Sequence, residues 1–138
     1  DSDFQSDSGM MTRTWGPPLW HTLHILSFLY VPNTRNSKYW RDFIVSLGNV
    51  LPCCYCRMNF SDNLKKARFK QQSFKTKDSL GKFVYALHNA VNLCLGKKKH
   101  DKSFKEVKKL YMSMIEKHAQ CTIQIVPPCT QQLFQCKV

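Results

Sequence analysis

Apolar residues recur along this chain at helical intervals. Leu19, Leu23, Leu26 and Tyr30 stand four, three and four positions apart. They follow Pro17 and Pro18, which suit a first helical turn, where a missing N–H has no intrahelical partner to lose. Pro32 and Asn33 mark the end of this first helix. Phe43, Leu47 and Val50 form the stripe of a second helix over about 37–50. Pro52 interrupts it, and a third helix opens at the cysteines that follow and reaches about 67. The fourth, about 78–95, is the best defined: Leu80, Phe83, Val84, Leu87, Val91 and Leu95 share one face, and Gly96 stands where a C-terminal cap is expected. Ser103 and Glu106 form a capping box ahead of a shorter fifth helix carrying Phe104, Val107, Tyr111 and Met114. No segment reads as a strand, and no internal repeat is evident. The predicted fold is all-α, a four-helix bundle with a short fifth helix. Residues 1–13, rich in Ser and Asp, predict a disordered lead-in, 14–119 the folded domain, and 120–138, with Pro127, Pro128 and three spaced cysteines, an irregular tail.

A chain of 138 residues buries a core without needing disulfides to fold, so its seven cysteines serve chemistry or a tail staple. Lys and Arg outnumber Asp and Glu by 21 to 9, a net charge of +12. Such a surplus suggests acidic partners, a phosphate-bearing cofactor, nucleic acid or an anionic membrane surface. The lysine runs around 65–77 and 97–109 read mostly as solvated helix faces and loops. No apolar run approaches the roughly 20 residues needed to span a bilayer, and the acidic start lacks the features of a signal peptide, so the chain reads as soluble.

Candidate chemistry concentrates in Pro52-Cys53-Cys54-Tyr55-Cys56. One helical turn brings Cys53 and Cys56 within disulfide reach, and the unpaired N–H groups of a first turn stabilise a thiolate. A redox, a metal-binding and a structural role are all open to such a pair. Two further clusters bear on the choice. His88 and Asn92 lie four apart on the fourth helix, with Asn89 one step round and Lys97 just past the end; Trp20 and His24 lie four apart on the first. Singly, each reads as a core residue. Together, an aromatic plate, imidazoles, amides and a lysine are what a planar, polar-edged, phosphate-bearing ligand needs. A zinc-binding module using Cys53, Cys54, Cys56 and a His is the main rival, but a structural site wants two paired ligand groups and the second is not evident. A nucleic-acid-binding module would rest on the lysine runs alone, with no base-reading pattern.

Three motifs then stand in order: Trp15-Gly16-Pro17-Pro18-Leu19-Trp20-His21-Thr22-Leu23-His24, Pro52-Cys53-x-x-Cys56, and His88-Asn89-x-Val91-Asn92-x-x-Leu95-Gly96-Lys97. This arrangement, spanning about 14–115, resembles the FAD-dependent sulfhydryl oxidases of the Erv/ALR family, most of all the compact members of large DNA viruses. The resemblance implies FAD enclosed in the bundle, homodimers, and a thiol:oxygen oxidoreductase that forms disulfides in protein dithiols or a redox relay protein and passes electrons to oxygen as hydrogen peroxide. It makes Cys53 the outer cysteine toward substrate and Cys56 the inner one toward the flavin. Gly16, Trp20, His24, Cys56, His88, Asn89, Val91, Asn92, Leu95, Lys97 and Tyr111 would bind FAD; no metal is expected, and nucleic acid is not an expected partner. The compartment would be host cytoplasm or virion for a viral member and the mitochondrial intermembrane space for a cellular one. The chain departs from the family in having Pro17 where many cellular members have Arg, and Tyr111 where many have Trp. Cys54 and Cys94 are not family requirements; Cys94 reads as a buried thiol, and Cys54 has no assigned role. Cys121, Cys129 and Cys136 would form either a shuttle pair or a structural staple.

Overall fold

The computed structural model describes residues 5–6 and 9–119, so Cys121, Cys129, Cys136 and the expected tail lie outside the described residues. Its helices are α1 (Thr12–Phe28), α2 (Thr34–Val50), α3 (Cys54–Lys66), α4 (Lys77–Cys94) and α5 (Phe104–Ala119), with a 3₁₀ turn over Gln71–Phe74. The all-α expectation holds. However, α5 is a full helix of 16 residues, and α3, with 13, is the shortest. A two-residue antiparallel hairpin, β1 (Gln5–Ser6) and β2 (Gly9–Met10), precedes α1 where a disordered lead-in was expected. The reason is a tertiary contact: the Met10 N–H donates to the Pro52 carbonyl at 3.0 Å, and Gly9 opposes Cys53 in an antiparallel bridge.

Local signals set most helix ends. The Asn33 side chain accepts from the Asn36 N–H and starts α2, and Thr76 and Ser79 cap α4 reciprocally. At the other end of α4, Gly96 adopts φ 69°, its N–H reaches Leu93 O, and the Lys97 N–H reaches Asn92 O. This Schellman motif turns the chain so that Lys97 follows directly on the helix. The Ser103/Glu106 box forms as expected, with Ser103 N–H to Glu106 Oε2 at 2.8 Å. α1 differs, because it begins at Thr12 and takes Pro17 and Pro18 inside it. Each proline removes an intrahelical bond, at roughly 3 kcal/mol or more in a helix interior. The turn ahead of them is held from outside, by Trp15 Nε1 donating to Met10 O at 3.1 Å.

α4 occupies the centre, packed on α1, α3 and α5, while α2 packs on α3. Leu80, Val84 and Leu87 of α4 join Leu23, Ile44 and Leu47 in one buried cluster; each such side chain contributes about 1.5–3 kcal/mol relative to exposure. The Phe28 ring fits against α4 because residue 81 is glycine: a Cβ there would stand 2.7 Å from the ring. Of the stripe expected on α2, Leu47 is buried, but Phe43 and Val50 are not. Ile44 is fully buried, whereas Phe43 and Val50 are 41% and 71% exposed. Leu26 is likewise exposed, and Phe28 takes its place in the core. No helix among the described residues is long and apolar enough to cross a membrane.

Candidate active site

Cys53 is the N-cap of α3. Its backbone is extended, at φ −122° and ψ 119°, and its sulfur accepts the Cys56 N–H at 3.1 Å. Cys53 and Cys56 are joined in a disulfide with Cα atoms 5.1 Å apart. The Arg57 guanidinium braces the same turn by donating to Leu51 O. Cys54 points outward as a free thiol, 3.9 Å from Met58 Sδ. Cys53 is only 6% exposed, under Gly9 and Met10. Cys56, half-buried, faces inward.

What Cys56 faces is a cavity of about 300 Å³ walled by all five helices, mainly by apolar side chains such as Leu47, Leu51, Phe60 and Leu87. Rings form its other end. Trp20 and His88 stack face to face, 4.2 Å between centroids and 8° from parallel. Beneath them His24 is fully buried; its Nε2 lies 3.3 Å from His88 Nδ1, and its ring stacks on Tyr111 at 5.0 Å. The Tyr111 hydroxyl lies 3.3 Å from His21 Nδ1. Burial, reinforced by the neighbouring imidazoles His100 and His21, pushes His24 down to about 4. Burial, then His24, His100 and Lys97, pushes His88 down to about 3. Both rings are therefore neutral at physiological pH, so one of the facing nitrogens donates and the other accepts.

Of the residues expected at a ligand site, Gly16, Trp20, Cys56, His88, Val91, Asn92, Leu95, Lys97 and Tyr111 line the cavity. His24 and Asn89 do not. His24 lies behind the ring wall, and Asn89 Oδ1 accepts the His100 N–H at 2.8 Å, fixing the loop between α4 and α5. Cys94, expected to be buried, is half-buried on the cavity wall; its carbonyl accepts from the Tyr55 hydroxyl at 3.2 Å, tying the cysteine motif to the end of α4. Sequence reasoning missed Asn63. It lies seven residues after Cys56, on the same face of α3, 3% exposed and in the cavity wall. The only signal available was a polar residue at an apolar-face position.

Two buried polar atoms among the described residues lack a hydrogen-bond partner, His24 Nδ1 and Asn63 Oδ1, and Asn63 belongs to this cavity. Gly16 borders the same space with no heavy atom within 4 Å of where a Cβ would sit. Unspent hydrogen-bonding capacity, aromatic plates, a glycine cradle and Lys97 at one edge fit a planar, polar-edged ligand carrying phosphate. The geometry is that of a helical protein with one sulfur of a disulfide, Cys56, in the wall of a cavity whose lining suits such a ligand. The chain belongs to the Erv1 / Alr family, whose model matches residues 17–112. Over 91 residues it is 31% identical to a probable FAD-linked sulfhydryl oxidase of Acanthamoeba polyphaga mimivirus. That alignment takes in 64% of this chain and spans 64% of the relative's length.

Proposed function

We propose that this protein is a FAD-dependent thiol oxidase that forms disulfides in protein dithiols and passes the electrons to oxygen. The observation that carries this reading is the placement of Cys56, disulfide-bonded to Cys53, in the wall of the cavity that Trp20, His88, Asn92 and Lys97 also line. Trp20 and His88 would offer the stacking surface, Asn63 and Asn92 hydrogen bonds, and Lys97 a positive charge for phosphate. FAD bound there supplies a two-electron acceptor for the dithiol and delivers the pair to oxygen, giving hydrogen peroxide.

The chain's own part is thiol–disulfide exchange. A substrate thiolate attacks Cys53 Sγ, the Cys53–Cys56 bond breaks, and Cys56 leaves as a thiolate facing the cavity. The second substrate thiol, deprotonated, attacks the substrate sulfur of the mixed disulfide; Cys53 leaves as a thiolate and the substrate departs oxidised. The Cys56 N–H aimed at Cys53 Sγ stabilises that leaving thiolate, as does the N-terminus of α3. The zinc alternative is not favoured: Cys53 and Cys56 are joined in a disulfide, and no group of three or more His, Cys, Asp or Glu side chains among the described residues is placed to hold a metal ion. The exposed apolar face of Leu26, Leu29, Val31, Tyr39 and Phe43 supports a homodimer; Leu29→Glu is expected to convert it to monomer in sedimentation. For the activity itself, purified protein is expected to carry the flavin absorbance band and to consume oxygen with dithiothreitol. Colourless protein inert toward dithiols would overturn the reading.

A further inference from the structure

The backbone beside Cys53 carries more than the helix cap. Cys53 is extended, and β2 lies antiparallel against it, with Gly9 opposite Cys53 and the Met10 N–H on Pro52 O. The bond from Met10 N–H to Pro52 O is one half of a normal antiparallel pair. The other half is impossible, because proline has no N–H to return to Met10 O. That carbonyl is received instead by Trp15 Nε1 at 3.1 Å. One residue of an extended strand is therefore gripped at both its polar groups, by an acceptor on Pro52 and a donor on Trp15.

From this the geometry points to Pro52, Cys53 and Trp15 as a docking edge for an extended, unfolded cysteine-bearing segment of the substrate, a place that Gly9 and Met10 hold in the resting chain. The inference rests on the thiol-oxidase reading and adds the substrate's conformation and register. Gly9 and Cys53 form the pair flanked by, rather than joined by, ladder hydrogen bonds, where Cα atoms approach to about 4.5 Å and side chains are closest. A substrate cysteine in that register, on a regular strand, has its Cβ about 4.5–5.5 Å from that of Cys53, near the separation a disulfide requires. The residue after that cysteine takes the place of Met10, giving its N–H to Pro52 O and its carbonyl to Trp15. The chain's own strand cannot react, because the position facing Cys53 is glycine. Its path is one that glycine alone follows: Gly9 has φ 106°, and a Cβ on that path would stand 2.5 Å from Pro52 O, so a substrate cysteine in this register takes the regular extended path instead. Cys53 is 6% exposed with this strand against it, and a substrate segment that docks here takes the strand's place.

The test uses the full flavin-loaded chain, an unstructured peptide with a Cys-Ala-Ala-Cys-Ala core, and the same peptide with N-methylalanine after each cysteine. Each should reduce oxidised glutathione at the same rate, so that intrinsic thiol reactivity is matched. Loss of one backbone hydrogen bond at the edge is expected to lower kcat/KM for the methylated peptide about five- to tenfold. Gly9→Val, whose Cβ clashes with Pro52 O on the strand's present path, and Met10→Pro, which removes the N–H that reaches Pro52 O, each weaken the seated strand and are expected to raise kcat/KM for the parent peptide several-fold. Equal turnover of the two peptides by the parent protein overturns the docking edge, as does unchanged peptide turnover in both variants. Dithiothreitol has no backbone to dock. If it too is inert with flavin bound, the thiol-oxidase reading is what fails; if it is oxidised while the peptides are not distinguished, only the docking edge fails.

Discussion

The two ends of the cavity are built on different principles. At the cysteine end, backbone does the positioning: the N–H of Cys56 meets the sulfur of Cys53, Pro52 O receives Met10, and the helix start sets the spacing of the two thiols. At the ring end, side chains from distant parts of the chain position one another, with His24 and His88 separated by 64 residues and Tyr111 from a third helix. Apart from the strand at Met10, the first arrangement is local, and it depends little on neighbouring side-chain identities. The second is buried and neutral, and it depends on every member. A substitution at the cysteine end should therefore remove chemistry while leaving the fold, whereas one at the ring end should loosen both the fold and ligand affinity.

The largest expected effect is at the sulfurs. Cys53→Ser or Cys56→Ser should abolish oxygen uptake with dithiothreitol, with flavin retained in at least the Cys53 variant; parent rates in both would remove the roles assigned to them. Next comes His88→Ala, which deletes the stack on Trp20 and leaves the His24 nitrogen facing a void. The flavin dissociation constant, followed by fluorescence, should rise tenfold or more, from about 1.5 kcal/mol or more of lost stacking and hydrogen bonding. If affinity holds while turnover collapses, the ring end is catalytic rather than binding.

Acidification separates the ends without mutation. The fold holds His24 and His88 neutral down to about 4 and about 3, whereas the unfolded chain protonates them near the ordinary imidazole value of 6.5. Because the unfolded state binds more protons, stability is intact above pH 6.5 and declines as pH falls from there toward 4, by up to about 1.4 kcal/mol per pH unit for each group. The urea midpoint should drop between pH 7 and 5, and less so in His24→Leu; a flat parent profile would contradict the neutral ring end. Asn63→Leu should remove a buried oxygen without a partner, stabilising flavin-free protein by about 1 kcal/mol while weakening flavin binding. Unchanged flavin affinity would leave Asn63 with a structural role only. The smallest effect is Tyr55→Phe, which loses the exposed bond to the Cys94 carbonyl that joins the two ends, and should lower the urea-derived stability by about 0.5–1 kcal/mol.

Much of this was legible in the chain. The α4 stripe and its Gly96 cap, the Asn33 punctuation and the Ser103 box are short-range patterns, each satisfied within a few residues. On α2, Leu47 goes inside as expected, but Phe43 and Val50 do not, because Phe43, Ile44, Val45 and Val50 put apolar groups on several faces and only tertiary packing decides that Ile44 is buried beside Leu47. The start of α1 was placed too late for a related reason. Pro17 and Pro18 argue locally for a first turn, but Trp15 and the strand at Met10 hold an earlier turn in place.

For the site, the sequence by itself determined which atoms are available: two thiols one helical turn apart, His88 and Asn92 on one face of α4, Trp20 and His24 on one face of α1. Helical periodicity is a local property, so spacing suffices for that. Only the tertiary structure decided that His24 backs the wall while His88 lines it, that Asn89 turns away to hold a loop, and that Asn63 joins the cavity. It also brought Gly9 and Met10, more than 40 residues away, onto Cys53. Such contacts depend on how whole helices settle against one another to bury their stripes, and no interval along the chain encodes that outcome.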